Sequence, residues 1–171
     1  MSARQRGLTL MEIAVTLALG TLVMLLVGSL FVASSRAWRR GSDVREAQVQ
    51  ANTLIEVVMR DVRSGSQAPS VMINPPVAID EGEPLLSVVT TTDSGPHWVL
   101  YVRYPDRREV VRQIVVPAGD GKVTVRDSRL VATGIERVTV TPTGDGVTVE
   151  VEARRGRDTA FARGSASPRN P

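Results

Sequence analysis

One carboxylate, that of Glu12, stands at the head of a stretch that carries no charge from Ile13 to Ser35 and ends at Arg36. In lipid an unpaired acid costs about 2.5–3.5 kcal/mol at the centre of a span and less near its end. The chemistry open to Glu12 is therefore ion pairing with a positive partner, or solvation among the lipid headgroups at the interface. Few other side chains could react. His97 is the only histidine, and it sits beside Trp98 at the start of a strand-like segment, where a structural role is expected. There is no cysteine, no G-x-S-x-G, no metal-type histidine spacing and no glycine loop built to cradle phosphate. Catalytic residues, cofactors and metals are accordingly not expected, and the chain does not read as an enzyme. Asp80, Glu81 and Glu83 cluster, but a calcium site needs several converging oxygens, so a solvated acidic loop is expected.

The elements around Glu12 follow from periodicity. The uncharged run is about 35 Å long at 1.5 Å per residue, enough for a bilayer core of about 30 Å. Beyond it, Val44, Ala47, Ala51, Leu54, Ile55, Val58 and Val62 recur at three- and four-residue steps, which marks one buried stripe of an amphipathic helix. No proline occurs from Met1 to Gln67, so a single helix is expected from Leu8 to Arg63, with Gly41-Ser42 as a site for a kink. Residues 64–84 hold four prolines and read as a connecting loop with a short strand at Val71–Ile73. From 85 onward, segments 85–92, 97–104, 109–116, 122–126, 136–142 and 146–153 are rich in β-branched residues. Pro105-Asp106, Asp120-Gly121 and Asp145-Gly146 supply turns between them. The expected fold is α+β, with a long N-terminal helix whose second half packs on an antiparallel sheet. Residues 156–171, low in apolar content and basic, read as a disordered tail.

The N-terminal residues resemble the type IV prepilin leader shared by type IV pilins, type II secretion pseudopilins and competence pilins. Arg4 and Arg6 precede Gly7, followed by Leu8, Thr9, Leu10, Met11, Glu12 and the apolar run. Phe is the family's usual residue at the position of Leu8. The resemblance implies cleavage between Gly7 and Leu8 by a prepilin peptidase and N-methylation of Leu8. It also implies assembly with other pilins or pseudopilins, Glu12 pairing with the amino terminus of a neighbouring subunit. The order of elements, with Asp61-Val62-Arg63 closing the helix, is similar to the J-type minor pseudopilins. Lack of the disulfide common in major pilins fits a minor subunit. On this reading residues 1–7 are the leader, 8–35 the membrane and filament-core helix, 36–63 its amphipathic continuation, 64–155 the globular domain and 156–171 the tail. The chain would be single-pass in a bacterial cytoplasmic membrane, its domain outside the cytoplasm.

Two other readings stand beside this one. Arg154, Arg155, Arg157, Arg163 and Arg169 make the tail basic, as a DNA-uptake pilin touching phosphates would require. A signal-anchored envelope domain that never polymerises needs no processing at Gly7. A conventional secretory signal with cleavage near Val32-Ala33-Ser34 is disfavoured by the length of the apolar run and by Glu12. Arg36, Arg39 and Arg40 count against export of the C-terminal part, and the leader motif outweighs them.

Overall fold

A computed structural model of the chain describes residues 9–67, 69, 82–92, 95–119 and 122–169. The Gly7–Leu8 junction, the expected strand at 71–73, Asp80, Glu81 and the 120–121 turn lie outside the described residues. Helix α1 (Leu10–Ser64) is followed by strands β1 (Glu83–Thr92), β2 (Gly95–Tyr104), β3 (Glu109–Gly119), β4 (Lys122–Thr133), β5 (Ile135–Thr143), β6 (Gly146–Arg155) and β7 (Asp158–Ala166). The arrangement is α+β, a long N-terminal helix with antiparallel sheets. Helical hydrogen bonding continues through Gly41-Ser42. The chain nevertheless divides there into two compact units, Met1–Ser42 and Asp43–Pro171.

In the first unit the helix carries no charge from Ile13 to Ser35 and is exposed on all sides up to Ser34. In the second its stripe is covered. Ala47, Ala51, Leu54, Val58, Met59 and Val62 pack into one core with residues from both sheets. Val44, expected in the stripe, stays exposed, and Met59 takes a place that the sequence did not suggest.

The strands form two sheets rather than one, in the orders β1-β2-β3-β4 and β5-β6-β7. The change falls at Gly134, between β4 and β5. Val99 and Tyr101 of the first sheet and Val147, Val149 and Val151 of the second face the helix core. The sheets are tied by Arg103 of β2, which donates to Glu83 of β1 at 2.6 Å and to the backbone carbonyl of Glu136 in β5.

The largest correction concerns residues 156–171. Asp158–Ala166 is strand β7, paired with β6 from Arg155↔Asp158 to Val147↔Ala166. Its two-residue turn, Gly156-Arg157, has Gly156 at φ 57°, a conformation open to glycine. The β5–β6 hairpin uses the same device with Gly144-Asp145 as its turn. The expected Asp145-Gly146 turn is thus shifted by one residue. Gly146 already belongs to β6.

Low apolar content misled because β7's inner face is built from small residues. Ala160 is buried, Ala162 and Ala166 pack on the core, and Phe161 and Arg163 point outward. At Gly164 a Cβ would lie 2.5 Å from Ile55 Cγ2, so the absent side chain is what lets helix and strand approach. Gln48 of the helix also donates to the Phe161 carbonyl at 3.2 Å.

Candidate functional site

Two places on α1 carry polar chemistry in otherwise apolar surroundings: its first turn and its last.

At the first turn, Thr9 and Glu12 form a capping box. The Glu12 backbone N–H donates to Thr9 Oγ1 at 3.3 Å, and the Thr9 N–H points back to Glu12 Oε2 at 3.5 Å. Such reciprocal bonds satisfy amides that a helix start leaves without partners. Within one chain, then, Glu12 already has a local task, and its acid complements the positive end of the helix dipole. The T-x-x-E spacing was present in the sequence and is the signal that would have shown it. Further along, Thr16, Thr21 and Ser29 donate their hydroxyls to the carbonyls of Glu12, Ala18 and Leu26 at 2.7–2.8 Å. A polar group bonded within its own helix costs little in hydrocarbon. The stretch is therefore long enough, apolar enough and internally satisfied enough to cross a membrane.

At the last turn, Asp61 is 6% exposed. Its Oδ2 accepts the Tyr101 hydroxyl at 2.6 Å and the Arg112 Nε–H at 2.6 Å. Tyr101 and Arg112 are directly opposed across β2 and β3, so strand register brings both to one oxygen. Arg60, on the solvent side, reaches Asp61 Oδ1 at only 3.9 Å and is 71% exposed, which makes it a weak contributor. Burial pushes the Tyr101 phenol well above its usual range. The Asp61 charge and hydrogen bond act the same way, and Arg112 offsets them only in part. For Arg112, burial acts to lower the pKa, but Asp61, with a smaller contribution from Tyr101, acts upward and the net direction is upward. The group thus holds a carboxylate, a guanidinium and a neutral phenol as a fixed joint between helix and sheet. Of the three, only Asp61 stood out in the sequence, and only through the Asp-Val-Arg likeness.

This joint has a pH signature. The unfolded tyrosine ionises near pH 10, whereas in the folded chain Tyr101 holds its proton to higher pH. Its contribution to stability is therefore complete below about pH 10 and falls as pH rises beyond that, by up to about 1.4 kcal/mol per unit. Tyr101→Phe should cost about 1.5–3 kcal/mol at neutral pH and flatten the alkaline loss. Urea titrations of both forms at pH 8 and above pH 10 check this, and parallel losses would mean that Tyr101 titrates normally.

The other residues singled out from the sequence are not gathered at either place. His97 lies on β2 opposite Thr90. Glu83 is on β1, bonded to Arg103. Of the basic tail residues, Arg155 pairs with Glu46 and Arg163 with Glu150, each at 3.3 Å. In comparisons with known proteins, the chain matches no family model, no curated protein and no solved structure.

Proposed function

We propose that the chain is a minor structural subunit of a type IV pilus or type II secretion filament. Prepilin peptidase would release residues 1–7 and leave a methylated amino group on Leu8. The apolar part of α1 would first sit in the membrane and then join the filament core. The observation that carries this reading is the exposed apolar helix with a single acid in its first turn, joined to an α+β domain that has a hydrophobic core of its own. A helix apolar on every side needs lipid or other helices around it.

Glu12 is the assembly residue in this account. Cleavage after Gly7 would leave the Thr9–Glu12 cap in place, one residue beyond the new ammonium. Cap and ion pair are compatible because a carboxylate accepts several hydrogen bonds. Glu12→Ala is expected to leave processing intact and to reduce incorporation into the filament at least about tenfold, the equivalent of one ion pair of about 1.4 kcal/mol. Immunoblots of sheared filaments against whole-membrane fractions measure both quantities. Unchanged incorporation would remove the pairing role. Glu12→Gln keeps a hydrogen-bond acceptor for the cap and loses the charge, so it separates helix capping from ion pairing.

DNA uptake through the tail is the weaker reading. Two of its arginines are engaged with acids, and most of the segment is strand β7 rather than a free arm.

A further inference from the structure

Just beyond the apolar run, α1 carries Arg36, Trp38, Arg39 and Arg40, all exposed, with Trp38 81% exposed. Arg36, Arg39 and Arg40 follow i, i+3, i+4 spacing and share one side of the helix, while Trp38 falls on the opposite side. Like charges at such spacing repel, so the cluster is unfavourable unless an anion is nearby. The chain supplies none locally. Between Glu12 and Asp43 the sequence has no acid. Among the described residues the ion pairs involve Arg60, Arg103, Arg108, Arg112, Arg155 and Arg163 and none of these three.

From Arg36 to Arg40 the helix rises about 6 Å. One headgroup layer of a bilayer is about 5–7 Å thick, half the difference between the whole bilayer and its hydrocarbon core. With the uncharged run filling the core, all four side chains fall inside that layer. An indole favours this zone, and guanidinium forks match phosphate oxygens.

We infer that Arg36, Trp38, Arg39 and Arg40 form a collar that binds the phosphates of anionic phospholipid headgroups and sets how deeply α1 sits in the membrane. The inference rests on the membrane-spanning part of the proposed function and not on filament assembly. A subunit leaving lipid for a filament would have to release these phosphates, so anionic lipid would hold it back.

The test is native mass spectrometry of the full chain, released from mixed micelles holding equimolar phosphatidylglycerol and phosphatidylcholine. Phosphatidylglycerol adducts should exceed phosphatidylcholine adducts by at least about fivefold, the factor expected when one guanidinium meets an anionic lipid surface. The combined Arg36→Gln, Arg39→Gln and Arg40→Gln variant should bring the ratio near one. A control with Arg45→Gln, Arg60→Gln and Arg63→Gln loses the same charge farther along the helix and should keep it. An even ratio in the unaltered chain, or enrichment that survives loss of the three collar arginines, overturns the inference. A chain that stays in aqueous solution without detergent and takes up no lipid overturns the membrane span along with it.

Discussion

Asp61→Ala is expected to destabilise the domain by about 3–5 kcal/mol, the range for removing one partner from a buried ion pair. The loss comes less from the missing attraction than from what remains. Arg112 would keep a charge with its side chain 19% exposed, and the Tyr101 hydroxyl, in a residue 1% exposed, would lose its acceptor. Domains are stable by only about 5–15 kcal/mol, so the variant forfeits a large share of the total. Urea unfolding of the full chain in detergent, followed by Trp98 fluorescence on β2, measures it. A loss below about 1 kcal/mol would mean that water reaches the joint. Asp61→Asn should fall between, since the amide oxygen still accepts one bond but no longer balances Arg112.

The second large effect belongs to β7. Removing residues 157–171 should abolish cooperative unfolding, because β6 would keep only β5 beside it and become an edge strand, and Ile55, Met59 and Gln48 would lose the strand that they contact. Gly164→Val tests the same interface without truncation. The new side chain would meet Ile55 Cγ2 and Met59 Cγ, at 2.5 and 3.3 Å from its Cβ position, at an overpacking cost of about 1–3 kcal/mol. Thermal melts of the two variants would decide the matter, since a disordered tail would leave both as stable as the parent chain.

These two predictions mark where the fold was and was not legible in the sequence. The helix stripe and six strands announced themselves through apolar spacing and β-branched runs, which are local signals. β7 did not, because its inner face of Ala160, Ala162, Gly164 and Ala166 contributes close approach rather than apolar bulk. Its turn, Gly156-Arg157, follows the same Gly-X pattern as Gly144-Asp145 and could have revealed it. The Asp61 joint was hidden for another reason. Its partners lie 40 and 51 residues away, and they meet only after Tyr101 and Arg112 are placed opposite one another by strand register. Glu12 is the reverse case. It stood out as a charge in an apolar run, yet its nearest contact, the cap with Thr9, is encoded separately, in the three-residue T-x-x-E spacing.

The two ends of α1 therefore differ in kind. Its last turns are fixed to the sheets by a buried joint and a shared core. Its first part has no core of its own to enter, and Thr16, Thr21 and Ser29 bond their hydroxyls within the helix. On the proposed reading the domain has its own core, while the apolar helix is covered by lipid before assembly and by other subunits after it.

The most direct test of that reading is intact mass and N-terminal sequencing of the protein taken from its native membrane. A chain that begins at N-methylated Leu8, with Thr9 and Glu12 retained at the head of the helix, is the expected result. A chain that keeps residues 1–7, or one cut near Ser34, would contradict it, since neither presents the amino group that Glu12 is proposed to meet in a neighbouring subunit.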